Sequence, residues 1–361
     1  VILAGGFATR LRPLSCTRPK ILFPLLNKPF LQWIFERLAK NNIKEAILAV
    51  NYQTEAAIKN MRISTCGVHV TYSHDPPQKP LGTGGPIKKA EKRIGHDDSF
   101  LVINGDIFAD LNYMEILKMH EEKGGVATIA LHEVEDPSRF GVAELLEDNR
   151  ISRFIEKPRR EEAPTNLINA GVYAFSPKIF EYIPKGQTVS MEREIFPKLA
   201  MKGLLYGYIY SGLWMDIGKP EDYLELNKTL LLSNFFTIKQ KFKNERGVSV
   251  NSPVIFDKGV SIGKGSVIGP HVVLGRNVKV GSNVYIRDSI IFPHVEISDS
   301  SSIRGAIIGE GVIIGRDVKI ESGCVLGDHS KVRDGVVLTN GVLICPAREV
   351  VESVTTPKCL T

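Results

Sequence analysis

Apolar residues in the first half of the chain fall into short runs separated by helical patterns. Val1–Ala4 reads as a buried strand. Phe30, Ile34 and Leu38 recur at helical spacing, and Asn41 and Asn42 close that helix. Ala46–Val50, Val68–Tyr72 and Phe100–Ile103 continue the strand series, with helical patterns between them. Strand, helix and strand at these intervals predict βαβ units. The expected class is therefore α/β, a Rossmann-like, mostly parallel sheet with helices on both faces. Ligands of such sheets bind beyond the carboxyl ends of the strands. Gly5 and Gly6 follow one predicted strand end, and Asn104-Gly105-Asp106 follows another, so these loops are expected to converge on one cleft.

The period changes after about Asn251. Val254, Val260, Val272, Val278 and Val284 are spaced by six or by its double. Ile262, Ile268, Leu274, Val280 and Ile286 form a second register. The pattern fades from Asp288 to Arg304 and returns at Ile308, Ile314, Ile320 and Leu326. Repeats at this period predict a parallel β-helix. The hexapeptide-repeat family that it resembles winds left-handed. Lys228–Glu245 reads as a helical connector, with Leu230, Leu231 and Phe235 available for packing. The expected organisation is a catalytic domain over 1–232, a helical connector over 233–250 and a β-helix over 251–361.

Composition narrows the choices. A chain of 361 residues exceeds what one core usually supports. The net charge of +6 is mild and without long basic runs, so phosphate-bearing small molecules are the expected partners, not nucleic acid. The five cysteines are scattered, with no CxxC pair, which suggests neither a zinc site nor a disulfide framework and fits a reducing cytoplasm. No apolar run reaches the ~20 residues of a membrane span. The chain begins at Val1, inside its first strand, so a targeting signal ahead of that point would not be visible.

The richest chemistry lies at the start. The first strand runs into Gly5-Gly6-Phe7-Ala8-Thr9-Arg10-Leu11-Arg12-Pro13-Leu14 and then Arg18-Pro19-Lys20. Two glycines allow a close backbone turn, and successive N–H groups in such a turn suit phosphate oxygens. Arg10, Arg12, Arg18 and Lys20 can add full charges around it. The string is neither a Walker A loop nor a dinucleotide fingerprint. It resembles the opening signature of the sugar-1-phosphate nucleotidyltransferases, GGxGTRLxPLT…PK. Ala8 stands where that family usually has glycine. If the position needs positive φ, alanine costs about 1 kcal/mol there.

The resemblance implies a reaction in which a sugar phosphate oxygen attacks the α-phosphorus of a nucleoside triphosphate and pyrophosphate leaves. Positioning and charge neutralisation dominate such chemistry. It implies a divalent metal, Mg2+, held by Asp106 and by Asp216 of Trp214-Met215-Asp216-Ile217-Gly218. Asp110 matches the pattern less well and reads as a bystander. Arg10, Lys20 and Asp106 are the implied catalytic residues. Leu3, Ala4, Gly5 and Gly6, with Gly82, Thr83 and Gly84 of Leu81-Gly82-Thr83-Gly84-Gly85-Pro86, are the implied nucleotide site. The sugar side falls to Gly141 of Arg139-Phe140-Gly141-Val142, Glu156 and Lys157 of Phe154-Ile155-Glu156-Lys157-Pro158, and Asn169 of Asn169-Ala170-Gly171-Val172-Tyr173. Asn169 offers donor and acceptor to sugar hydroxyls, and Gly171 is expected to leave room for the ring.

The form of the Leu81–Pro86 loop resembles the guanylyltransferases that make GDP-mannose, so GTP and mannose 1-phosphate are the expected substrates. Alternatives are a glucose-1-phosphate thymidylyl- or uridylyltransferase, or a regulatory subunit that binds nucleotide sugars without turnover. Some relatives carry a β-helical acetyltransferase, which directs attention to His271, His294 and His329. A turn or surface role is the expectation for each. The β-helix is expected to assist homo-oligomer assembly.

Overall fold

The structure, a computed structural model, describes residues 1–6, 8–75, 81–233 and 247–360. Contacts divide the chain into two compact units, Val1–Gly6 with Leu31–Asp216, and Phe7–Phe30 with Ile217–Thr361. This division differs from the sequence-ordered expectation. The segment after the first strand shares its packing with the carboxyl-terminal half.

The first unit is built on a nine-stranded sheet. Strands His69–His74, Glu45–Val50, Ile2–Leu3 and Phe100–Asn104 lie side by side and parallel, as the alternation predicts. Beyond them the sheet is mixed. Leu167–Phe175 runs antiparallel to Phe100–Asn104, to Ala127–Glu133 and to Gly141–Leu145, and Gly141–Leu145 pairs antiparallel with Ile151–Glu156. The short return between those last two strands turns at Asn149, φ 68°, which is too brief for a crossover helix. Helix Phe30–Lys40 buries Ile34, Phe35 and Leu38, and Asn42 follows it in a left-handed conformation.

In the second unit three parallel sheets form a β-solenoid of two- and three-residue strands. It opens at Ser249–Val250, which pairs with Val267–Ile268, slightly before the expected boundary at 251. Leu274, Ile308, Leu326, Ile268, Ile286 and Ile320 are buried as predicted, and Ile291 and Ile303, which the spacing does not pick out, complete the same two inward rows. The fading between Asp288 and Arg304 has a geometric cause. Ile286 to Ile291, and Ile303 to Ile308, are steps of five residues where the others are six. Each coil in that stretch loses one residue at a corner, so the sequence phase slips while the stacking continues.

The corners also account for the histidines. His271, His294 and His329 have φ of 56°, 61° and 60°, the left-handed backbone that Asn277, Asn283 and Gly265 adopt at equivalent corners. Asn, Asp and His tolerate that conformation better than other non-glycine residues. Most of the expected connector helix lies outside the described residues. Pro220–Leu232 is helical, with Leu230 and Leu231 buried, and Phe235 and the rest of 234–246 lie outside the described residues.

Candidate active site

The parallel strands of the first unit bring several predicted loops to one edge. Leu3 pairs with Ala49 and Asn104, and His74 with Val50, so Ala4–Gly6, Asp75 and Gly105–Asp106 all leave from carboxyl ends. Ala4 N–H donates to Ala49 O at 2.9 Å, and Gly105 N–H to Leu3 O at 2.8 Å, which ties the two turns together. A Cβ on Gly5 would stand 3.0 Å from Asp75 Oδ2, whereas Gly6 faces open space. Glycine at position 5 therefore admits a carboxylate that sequence reading missed. Asp75 is half-buried, its Oδ1 has no hydrogen-bond partner among the described residues, and burial pushes its carboxyl above the usual range.

The backbone also brings the chain at the two predicted metal-binding aspartates together. Trp214–Asp216 pairs antiparallel with Ile107–Ala109, setting Asp216 opposite Ile107, one residue from Asp106. Trp214 fixes this ladder. Its Nε1 donates to Ala170 O at 3.1 Å, and Phe140 stands edge-on to its ring, centroids 5.0 Å apart. Asp110 does not join them in any role of its own, because Arg37 Nη1 holds its Oδ1 at 2.6 Å. Two carboxylates on adjacent chain segments, with the orphaned buried Asn104 Oδ1 on the same loop, fit a hard cation that keeps waters and substrate oxygens.

Next to these lies a polar cluster on Leu167–Phe175. Asn169 Nδ2 donates to Tyr173 Oη at 3.0 Å and Asn169 Oδ1 accepts Gly171 N–H at 2.9 Å. One amide hydrogen and one lone pair of Asn169 are thus committed within the protein, leaving the others for a ligand. Gly171, φ 71°, makes room for the protein itself. A Cβ there would meet Ile107 Cγ1 at 2.8 Å and Asn104 Nδ2 at 3.0 Å, so the protein's own packing already requires glycine at this position.

Glu156 and Lys157 end the strand Ile151–Glu156. Glu156 is pushed above the usual carboxylate range by burial and by the charge of Glu192, against the pull of Lys157 and Arg193. A Cβ on Gly141 would strike the Phe154 ring, Cζ at 2.5 Å, and stand 3.0 Å from Glu156 Oε2, so the glycine is required first by that ring. Lys157 has φ 51°, its N–H donates to Phe140 O at 3.0 Å, and Nζ stands 3.6 Å from Glu156 Oε1. A non-glycine residue held there is the kind of local strain that collects at working sites.

The glycines of the Leu81–Pro86 loop have a packing reason. Side chains at Gly82 and Gly84 would strike Val189, and one at Gly85 would strike Leu81. Gly84 N–H donates to Val189 O at 2.8 Å, and Val189 N–H to Leu81 O at 3.0 Å. Thr83 Oγ1 donates to Glu192 Oε2 at 2.7 Å. Glu192 thus links the loop to Glu156. It was invisible in the sequence, because it lies 109 positions from Thr83 and carries no local motif.

Beyond Gly5 and Gly6, which lie in the first unit, the signature segment with Arg10 and Lys20 belongs to the second unit. Ala8 has φ 47° and ψ 42°, so the position does require the left-handed conformation that glycine would take freely. Its carbonyl accepts Ser15 Oγ at 2.8 Å and Leu11 N–H at 3.0 Å. Thr9–Leu11 and Lys20–Leu22 are single 3-10 turns. Arg18 was expected among the phosphate-facing charges. Instead its Nη2 is 2.7 Å from both Glu310 Oε2 and Asp328 Oδ2, and its guanidinium lies over the Phe292 ring. Two carboxylates and an aromatic face compete for that cation and win.

Comparisons with known proteins place the chain in a family. Residues 1–233 match the nucleotidyl transferase family model, and residues 250–360 match the GMPPB C-terminal domain model. The chain is 36% identical to a mannose-1-phosphate guanyltransferase of Debaryomyces hansenii, over 98% of this chain and 97% of that one. It is 36% identical to mannose-1-phosphate guanylyltransferase catalytic subunit beta of Danio rerio, over 100% and 99%. Among solved structures, HddC from Yersinia pseudotuberculosis complexed with GMP-PN is similar at TM-score 0.54 and 31% identity, covering 63% of this chain and 97% of HddC. A putative glucose-1-phosphate thymidylyltransferase from Bacillus anthracis reaches TM-score 0.58 at 25% identity, over 65% and 96%.

Proposed function

Because the chain belongs to the nucleotidyl transferase family, we propose that it transfers the guanylyl group of GTP to mannose 1-phosphate, giving GDP-mannose and pyrophosphate. A phosphate oxygen of the sugar phosphate attacks the α-phosphorus, and the bond from that phosphorus to the bridging oxygen of pyrophosphate breaks. The observation that carries the reading is similarity through both the nucleotidyltransferase and solenoid segments to mannose-1-phosphate guanylyltransferases.

Within this reading Arg10 and Lys20 hold the triphosphate, in keeping with their place in the signature. Ala4–Gly6 offer backbone at a strand end, and Gly82–Gly84 present the loop that receives the base. Lys157 serves the sugar phosphate, while Glu156 and Asn169 address sugar hydroxyls. Asp106 and Asp216 would hold Mg2+, which supplies positive charge against the phosphate oxygens when bound. Exposed Ile313 and Val351 on the solenoid favour a homo-oligomer. Five free cysteines favour the cytoplasm, and among the described residues no helix is long and apolar enough to cross a membrane.

Pyrophosphate release over a grid of nucleoside triphosphates and sugar 1-phosphates tests the proposal. The expected best pair is GTP with mannose 1-phosphate. Preference for thymidine or uridine triphosphate would assign a different branch, and no release with any pair would leave a binding subunit.

A further inference from the structure

We propose that Asp328, a solenoid residue, is a positioning residue for nucleotidyl transfer, because it anchors the Thr17–Arg18 end of the segment that carries Lys20. The inference rests on the reading that Lys20 serves the triphosphate.

Asp328 is 3% exposed. Its Oδ1 accepts the Glu310 N–H at 2.8 Å, a bond between neighbouring coils. Its Oδ2 accepts Thr17 Oγ1 at 2.6 Å and Arg18 Nη2 at 2.7 Å. Glu310 adds a second carboxylate to Arg18, and Phe292 lies beneath the guanidinium at 5.0 Å. Two residues on, the Lys20–Leu22 turn begins. On its far side the chain is fixed again. Phe23 packs edge-on to Tyr223, the Tyr223 hydroxyl donates to Pro24 O, Leu26 N–H donates to Asn227 Oδ1 at 3.0 Å, and Asn27 Nδ2 donates to Leu274 O at 2.8 Å. The lysine turn is therefore bracketed between two anchors, both made by Ile217–Thr361.

The solenoid supplies its own controls. Asp299 Oδ1 accepts Ser282 N–H at 2.7 Å, and Asp334 Oδ1 accepts Arg316 N–H at 2.8 Å, the same coil-to-coil bond that Asp328 makes to Glu310. Both of those aspartates are exposed. Stacking coils needs one carboxylate oxygen. The second oxygen of Asp328 is buried and directed to the signature segment. Asparagine at 328 can keep the coil bond, but its amide nitrogen would face the obligate donor Arg18 Nη2 without the charge that pairs it, whereas Thr17 Oγ1 can turn its proton to Leu14 O, 3.3 Å away, and accept from the amide.

Steady-state kinetics on the full chain, with GTP and mannose 1-phosphate varied separately, test the assignment. Asp328→Asn is expected to lose roughly tenfold or more in kcat/KM for GTP, as for a lost charged hydrogen bond, with the KM for mannose 1-phosphate unchanged. Asp334→Asn is expected to leave both constants unchanged. Thr17→Val alters an exposed residue and should give a smaller loss in the same GTP constant. Adding Arg18→Met to Asp328→Asn should cost little more than Asp328→Asn alone, because the two act through one contact. Equal effects of Asp328→Asn and Asp334→Asn would overturn the proposal, as would parallel loss of both substrate constants. If Asp328→Asn does not accumulate as folded protein, an unchanged GTP constant in Thr17→Val overturns it. Lys20→Met separates the two levels. A normal GTP constant there removes the reading of Lys20 itself, whereas a large loss there with a normal Asp328→Asn removes only the positioning role.

Discussion

The Thr83 hydroxyl donates to Glu192 Oε2 at 2.7 Å and accepts the Met191 N–H at 2.9 Å. One side chain thereby ties the glycine loop to the turn at Met191–Ile195, whose Glu192 also bears on the charge of Glu156. Thr83→Val removes both bonds while keeping the shape. The expected result is a rise of about tenfold in KM for GTP, the worth of roughly one net hydrogen bond, with little change for the sugar phosphate. A response confined to the sugar phosphate would show that the loop does not serve the nucleotide.

Asp106 and Asp216 stand one residue out of register across a short ladder, where a divalent ion can take one carboxylate from each strand. Asp106→Asn and Asp216→Asn are each expected to lower turnover by roughly a hundredfold or more, with circular dichroism unchanged. Chelator should abolish wild-type activity, and added Mg2+ should restore it. Near-normal rates in both variants would remove the metal assignment.

Lys157 combines a charge with a strained backbone, φ 51°. Lys157→Met is expected to raise the KM for mannose 1-phosphate roughly ten- to a hundredfold, as for a lost charged hydrogen bond, while GTP binding measured by calorimetry holds. Lys157→Gly should be as inactive but thermally more stable than Lys157→Met, because glycine adopts positive φ without strain. Collapse of GTP binding with intact sugar-phosphate affinity would reverse the assignment.

Ala8 occupies a left-handed position at φ 47°. Ala8→Gly relieves about 1 kcal/mol of strain, partly offset by the added entropy of the unfolded chain. The expected outcome is a small rise in melting temperature with activity retained. A fall in stability would show that the alanine methyl makes compensating contacts.

Glu156 is held above its ordinary value of 4.5 by burial and by Glu192. A carboxyl raised in the folded state costs stability once it ionises, so the wild type is relatively most stable below the unfolded value and loses that advantage as pH rises through the folded one. Glu156→Gln should therefore melt higher than wild type at neutral pH, with the difference vanishing under acid. It should also bind sugar phosphate more weakly. An equal offset at every pH would exclude the ionisation as its source.

Much of this protein is written locally. The strand alternation from Val1 to Ile103, the helix at Phe30–Lys40 and the six-residue period of the solenoid follow from short-range hydrophobic spacing, and each is present. Gly171 and Arg18 stand out in the sequence, but what they pack against does not. Gly171 makes room for Ile107 and Asn104, and Arg18 turns to Asp328, 310 positions away.

The sequence by itself determined the class of fold and the repeat, and it marked the signature loops as the candidate site. These depend on residue type and on neighbours a few positions apart. Tertiary structure alone decided the antiparallel returns of the sheet, the one-residue slips at Ile286–Ile291 and Ile303–Ile308, and the burial that raises Asp75 and Glu156. It also decided that residues 8–30 pack with the solenoid, because the carboxylates and aromatic ring that capture Arg18 become neighbours only after the coils have stacked.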